Sequence, residues 1–466
     1  MRSLKRILVF IPILIAGSFQ LRASHLMGGE ITWTCQGNGQ FVFHMKLYRD
    51  CNGVQGPATA SLDVFNNPSL TTIAMNLVSQ TDISPQCNAI GPNITCTAAQ
   101  SQPNWPNSSS PIAGAVEEFI YQSSAITISG VPPAQGWIFA YQNCCRNLAI
   151  TNLNVSAGVG FTLRAIMYPY NGQNTNPCYD NSPEFLESPK TIICTGYPFT
   201  YNHNAVDAEF DSLAYSWADP LDSYTALPPA AFNAAPIPFV AGFAYNNPLP
   251  GPSLNAGNVP AVMNPYTGEI SYTSFTSGNY VTCIRVEAWK CGQKVAEIYR
   301  DIQVVLLPCG NNTPPAVTPP FQSNTVFQDT VYAGALVNFT LSATDFDFLP
   351  NGQPQTMTMD ATGQEFGAGF TNAAAGCINP PCATLSPPPP VSGPFGISTN
   401  FSWQTACNHI NYTTQCFHQS NTYNFVIRTT DDFCPAPAQT IATISITVLS
   451  QPVVASPKVH CVAVAP

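Results

Sequence analysis

The chain has 466 residues, only 9% of them charged and 11% aromatic, with a formal net charge of −10. The aromatic content argues against a disordered polymer, and the acidic balance argues against nucleic acid and anionic membrane surfaces as partners. The length suits about three domains of roughly 100–200 residues each.

The chain opens with a secretory leader, residues 1–23. Arg2, Lys5 and Arg6 precede an apolar run from Ile7 to Ala16, and Leu21-Arg22-Ala23 stands before Ser24. That run has the length of a signal h-region and is too short to cross a bilayer. Leu14-Ile15-Ala16-Gly17 resembles the site before a lipoprotein cysteine, but Ser18 occupies the cysteine's place. No later stretch is apolar enough to form a transmembrane segment. Removing the four basic residues of the leader leaves 11 (15 − 4) against 25 acidic residues, a net of −14. Asn, Gln, Ser and Thr must then supply most of the polar surface. Seventeen cysteines in such an exported chain read as disulfides. Cys461 is the natural odd one, and the others divide into six from Cys35 to Cys145, four from Cys178 to Cys291 and six from Cys309 to Cys434.

The first β domain is expected over residues 24–170. Ile31, Trp33 and Cys35 alternate with polar residues, as do Phe41, Phe43, Met45 and Leu47, around a Gly37-Asn38-Gly39 turn. This is a hairpin pattern. It puts Cys35 near the turn and Cys51 at the far end, so the two are not expected to bond to each other. Neighbours in an extended strand face opposite ways, so Cys144 and Cys145 should serve different partners, Cys35 and Cys51. Cys87 and Cys96 would then close a local loop. Further strands read at Glu118–Ile128, Trp137–Tyr141 and Gly160–Met167, followed by a linker at Tyr168–Cys178.

Two blocks recur in the remainder. Gly196/Gly334, Ala205/Ala343 and Asp207/Asp345 are each 138 residues apart, and Tyr280/Tyr423, Arg285/Arg428 and Cys291/Cys434 are each 143 apart. Two blocks in one order at nearly one offset imply a duplicated domain of sandwich size, at 171–310 and 311–450. Within the second copy Ser386–Pro394 reads as a polyproline-like loop unable to join a sheet. Residues 451–466 read as a linker and the opening strand of another domain.

The opening SHLMGGEITWTC…MKLYRDCNG and the later YQNCCRN resemble the N-terminal region of large secreted surface proteins of Bacteroidetes, of the gliding-motility-associated or PKD-like repeat type, exported through the type IX system. Such proteins typically end in a sorting domain, of which this sequence shows no sign. The duplicated block resembles cadherin-like, Ig-like calcium sandwiches. Asp180-Asn181-Ser182-Pro183-Glu184-Phe185 is similar to the family's linker motif, and Ala205–Glu209 and Ala343–Asp347 to its A-x-D-x-D motif. Asn312 stands at the start of the third domain and Asp431 near its last strands. The resemblance implies calcium held by Asn312, Asp345, Asp347 and Asp431, and a second site at Asp180, Asn181, Asp207 and Glu209. Glu209 departs from the motif's Asp, and Ala288 (431 − 143) replaces the counterpart of Asp431. Calcium takes six to eight oxygen ligands, and carboxylates at alternate positions leaving a strand can converge on one ion. The same acids can serve as Asx turn caps with no ion at all.

Other chemistry is weaker. Cys407/His409 and Cys416/His418 imitate zinc spacing, but cysteines in an oxidising compartment form disulfides. Glu117-Glu118 and Glu184/Glu187 lack an opposed carboxylate at glycosidase separation and read as solvated edges. Trp33, Trp137, Trp217 and Trp289 fall at strand positions and read as core. The expectation is therefore an all-β chain of tandem disulfide-stapled sandwiches, secreted or held at the cell surface. It would act as a non-enzymatic structural or adhesive stalk module, with a surface protein or glycan as partner. A carbohydrate-binding accessory protein is the alternative.

Overall fold

The computed structural model describes residues 26–37, 39–53, 55–85, 95–97, 115–156, 158–170, 180–189, 192–310, 312–410, 420–434 and 436–451. The leader, most of the linker, the final segment, and Cys87, Cys178, Cys416, His418 and Cys461 lie outside these residues. What is described is all-β.

The first part of the chain supplies β1 (Leu26–Gly37), β2 (Gln40–Asp50), β3 (Thr59–Phe65), β4 (Thr72–Asp82), β5 (Val116–Gln122), β6 (Ile126–Thr127), β7 (Trp137–Cys144) and β8 (Gly160–Met167). The second supplies β9 (Glu184–Phe185), β10 (Ile192–Thr195), β11 (Pro198–Asn202), β12 (Ala205–Val206), β13 (Ser212–Trp217), β14 (Val259–Met263), β15 (Glu269–Thr273), β16 (Gly278–Lys290) and β17 (Gln293–Pro308). The third supplies β18 (Ala316–Thr318), β19 (Gln328–Tyr332), β20 (Leu336–Asp345), β21 (Thr356–Thr362), β22 (Thr384–Ser386), β23 (Val391–Gln404), β24 (Ser420–Thr430) and β25 (Gln439–Leu449).

The opening hairpin forms as its alternation predicts, with Cys35 opposite Phe41 in the β1–β2 ladder. Gly37 and Gly39 take φ of 86° and 71° at the turn, values that glycine adopts without a Cβ clash. The alternating face (Trp33, Phe41, Phe43, Met45) is buried, and Phe43 meets Phe139 of β7 at 4.4 Å between ring centroids. The stretch expected as one strand over Glu118–Ile128 is two, β5 and β6, both paired to β2.

The second and third parts pair their strands in a similar order. In the second part β10 lies parallel to β17, β16 pairs with β17 and β13, and β15 pairs with β11 and β14. In the third, β19 lies parallel to β25, β24 pairs with β25 and β21, and β23 pairs with β20 and β22. Gly196 and Gly334, one repeat pair, both hold positive φ (103° and 93°) just before β11 and β20. In the third part β23 and β24 face each other across the core, where Phe401 and Phe425 meet edge-on at 5.0 Å. Val391–Pro394 pairs with Thr356–Met359 of β21, so the expected proline loop joins the sheet from Val391 onward. The run Val391-Ser392-Gly393 keeps its N–H groups, and Pro394 sits at the end of that ladder.

The two copies differ in what adjoins them. β17 pairs at Ala296–Ile298 with β8 and at Arg300–Ile302 with β1. The strands before and after residue 170 thus share one twelve-stranded sheet. The pairings β1–β2–β5–β4–β3–β7–β8–β17 return to β1 and close a ring. At this junction Arg300, with no exposed surface, donates from Nε and Nη2 to the Glu30 carboxylate, each at 2.7 Å. Beside it the buried Arg146 pairs with Asp301.

The cysteines depart from expectation. Cys51 bonds to Cys96, and Cys144 bonds to Cys145. β7 ends at Cys144, so the alternation rule for an extended strand does not reach Cys145. Cys194 bonds to Cys309, which therefore belongs with the second part, and Cys377 bonds to Cys382. Cys35, Cys291, Cys407 and Cys434 are also disulfide-bonded. Cys283 is a free, buried thiol.

Removing one member of a fully buried ion pair costs about 3–5 kcal/mol, whereas replacing both by apolar groups is often neutral. Urea unfolding of the oxidised protein should therefore show Arg300→Met destabilised by about that amount, with much of the loss recovered in Arg300→Met/Glu30→Leu.

Candidate functional site

Both sets of predicted ligands gather into acidic clusters, one at the corresponding end of each copy. In the second part Asp207 follows β12, and its Oδ1 accepts the backbone N–H groups of Glu209 and Asp211, both at 3.0 Å. This is an Asx turn of the kind the sequence allows. Asn181 donates from its side-chain amide to Glu209, and its Oδ1 accepts the N–H of Cys35 at 2.6 Å. Asp180 is buried beside them, its backbone carbonyl accepting from Trp33 Nε1. Asp180, Asn181, Asp207 and Glu209 are thus brought together, with Asp211 as a further member.

The place a cation would take is held by the protein itself. Lys290 Nζ lies 3.1 Å from both Asp180 Oδ1 and Asp211 Oδ2. Burial works against the charged ammonium, but Asp180 and Asp211 outweigh it and hold Lys290 above the usual lysine range. Burial, and then the Asp211 charge, pushes the Asp207 carboxyl up to about 8. Burial, and then Asp207, holds Asp180 well above the carboxylate range. This cluster does not fit a metal ion. Lys290 and Asp211 escaped the sequence reading, although the loss of a carboxylate at Ala288 and the gain of a lysine two residues later lay in one repeat block.

The third-part cluster has the same acids in a different arrangement. Asn312 Nδ2 donates to Asp431 Oδ2 at 2.7 Å, and Gln355 Nε2 donates to Asn312 Oδ1 at 2.6 Å. Asp431 Oδ1 accepts the N–H groups of Phe433 and Ala438, while Asp347 Oδ2 accepts the N–H and hydroxyl of Thr313. Asp345 Oδ1 accepts the N–H of Asp347 at 2.9 Å, and its buried Oδ2 has no hydrogen-bond partner. Burial raises the Asp345 carboxyl and pushes Asp431 up to about 7. Lys290 has no counterpart here, because its repeat position is Phe433 (290 + 143). Oxygen donors, excess negative charge and an orphaned carboxylate oxygen fit a hard divalent cation. Among the described residues, however, the one trio of His, Cys, Asp or Glu donors within 4.8 Å of one another is Cys51, Cys96 and Glu117. Its two sulfurs are already joined.

The other residues singled out have structural surroundings. Glu117 and Glu187 are not solvated: each is buried and paired, with Arg49 and Arg428 respectively. His409 is buried, its Nδ1 accepting the N–H of Ala406. Trp33 and Trp137 are core, and Trp217 and Trp289 are half-buried.

No family model matches the chain, and no curated protein matches it. Among solved structures it is similar to Drosophila N-cadherin EC1-3, at 13% identity over 72% of this chain and 84% of that one. It is also similar to the surface layer protein SbsC, domains 1–6, at 9% identity over 89% of this chain and 53% of that one, about half its length. The TM-score is 0.16 in both cases, too low to carry an argument.

Two outcomes follow from the electrostatics. Lys290→Met leaves four acids without their cation and should lower stability by about 3–5 kcal/mol in urea unfolding at pH 7.5, less at pH 5. Asp431 binds its proton more tightly folded than unfolded. In chelator its contribution should therefore be present at low pH and decline as pH rises from about 4 to 7. Asp431→Asn should flatten that slope.

Proposed function

We propose that this protein is a non-enzymatic structural or adhesive segment of an extracellular or cell-surface assembly, with a calcium ion at the third-part cluster. The observation that carries the structural reading is a buried polar chain across all three parts. Arg300 joins Glu30 of β1 to the Glu187 backbone carbonyl, and the Glu187 carboxylate accepts from Arg428 Nη1 at 2.9 Å. Thr362 also donates to Glu187. Asn202 Nδ2 donates to Thr443 Oγ1, and Phe210 packs on Tyr423 at 5.5 Å. Rigidity in this reading comes first from packed seams. The leader, the disulfides and the resemblance of the N-terminal motifs to exported surface proteins support the setting, and a surface protein or glycan remains the partner class.

Asn312, Asp345, Asp347 and Asp431 would hold the calcium, whose chemistry is to neutralise clustered carboxylates. Asp345 supplies the unpartnered oxygen, and the others would exchange internal hydrogen bonds for the ion. The cluster adjoins the seam, since the hydroxyl of Tyr197, raised mainly by burial, also feels the Asp431 charge.

Thermal unfolding of the mature, oxidised protein in chelator and then in millimolar calcium tests the proposal. Saturation to about 100 times Kd stabilises by about 2.7 kcal/mol. The expected result is a raised midpoint, lost in Asp345→Ala and retained in Asp207→Ala. An unmoved midpoint would reduce the third-part acids to turn caps.

A further inference from the structure

Between the two copies lies a cavity of about 390 Å³, walled on one side by residues after β12 and on the other by the start of β24. That volume is in the ordinary range for small-molecule sites. Three side chains on its wall carry a polar atom that is out of water and has no hydrogen-bond partner: Asp207 Oδ2, Gln364 Oε1 and Asn421 Nδ2. Asp207 is only 3% exposed. Buried polar atoms are ordinarily satisfied, so three orphans on one wall point to a partner from outside the chain.

The rim carries a second signal. Tyr266 lies on the wall with its side chain 82% exposed. It is held there by an Asx turn, in which Asn264 Oδ1 accepts the N–H groups of Tyr266 and Thr267 at 2.9 and 3.3 Å. An exposed aromatic ring on a fixed turn at the mouth of a polar cleft offers a flat apolar face beside hydrogen-bonding groups.

The orphans also constrain the ligand's chemistry. Gln364 Oε1 requires a donor and Asn421 Nδ2 an acceptor, and a hydroxyl can be either. An anion would face Asp207 and Asp211. A cation would find Asp211 already paired with Lys290, whose own charge repels it. What remains is neutral hydrogen bonding beside an aromatic face. We propose that this cleft binds a neutral pyranose oligosaccharide, with a sugar ring on Tyr266 and its hydroxyls bonded to Asp207, Gln364 and Asn421.

The site is independent of the calcium cluster, so the test is run in chelator throughout. The full mature protein is titrated calorimetrically with cellotetraose, laminaritetraose, chitotetraose and maltotetraose, each to about 10 mM, against a Kd of 1 mM for only about −4 kcal/mol of binding. At least one should bind, and Tyr266→Ala and Gln364→Ala should each weaken it about tenfold or more. Both residues lie outside the core, so the unfolding midpoint of each variant should match wild type, and a variant that fails this is replaced by Tyr266→Ser or Gln364→Leu. Absence of binding across the four backbones would overturn the assignment. So would binding that both variants leave unchanged, or binding displaced by an unrelated peptide.

Discussion

A guanidinium without water organises this molecule. Removing an arginine from solvent costs several kcal/mol unless its donors are met, and Arg300 has no exposed surface. Glu30 takes two of its hydrogen bonds, and Nη1 faces both the Glu187 carbonyl and His203 Nδ1, at 2.7 and 3.2 Å. Each acceptor is itself held. Tyr48 reaches Glu30 at 3.4 Å, and burial, followed by the Arg300 charge, keeps His203 well below the usual histidine range and therefore neutral. The first strand, the loop after β9 and the end of β11 are therefore positioned by one side chain on β17. The Glu187 carboxylate carries the connection on to Arg428, which also pairs with Asp360 of β21 at 2.7 Å.

The duplicated copies show how one sequence position can do two jobs. Arg285 and Arg428 are repeat partners. Arg285 lies at the surface near Glu287 and donates to Ser216, whereas Arg428 faces the seam and meets a buried glutamate. The acidic clusters diverge in the same way. One has an internal ammonium within 3.1 Å of two carboxylates, and the other leaves Asp345 Oδ2 without a partner. Burial raises Asp180 and Asp207 in one and Asp345 and Asp431 in the other, so the difference lies in whether the compensating charge is covalently part of the chain. Lys290 supplies the second cluster with a counter-charge from within the chain. The third remains sensitive to pH and to any cation that the medium supplies.

Local features were legible in the sequence and long-range ones were not. The hairpin could be read because period-two alternation and a glycine turn are written within two dozen residues. The repeated offsets could be read because they need no knowledge of contacts. The disulfides could not, since Cys51 meets Cys96 across 45 residues and Cys194 meets Cys309 across 115. The sheet shared by the first two parts left no readable trace. From Val295 to Leu306 every residue of β17 is buried, so both faces are covered. A strand covered on both faces ordinarily reads as a near-continuous apolar run, but here Glu297, Arg300, Asp301 and Gln303 interrupt it. The proximity of the acids in each part, Asp207 to Glu209 and Asp345 to Asp347, could be read because it is local to one motif. The missing information was the cation, because acids were sought at motif spacing and a lysine beside a cysteine carried no motif.

Charge is scarce in this chain, and the structure spends it inside. Arg49, Arg146 and Arg300 are buried, as are Glu30, Glu117, Glu187, Asp180 and Asp301. Surface ion pairs are screened by salt and individually weak, whereas buried pairs are screened far less and are costly to break. Moving the few charges inward makes the seams directional and leaves amides and hydroxyls facing solvent. The surface keeps most of the chain's acidic excess, which repels an anionic partner at long range. Recognition of a neutral partner would rest on short-range hydrogen bonding and on fixed apolar faces. Tyr266 and the amide-lined cleft between the copies meet those two requirements together, at the seam that the internal charges hold closed.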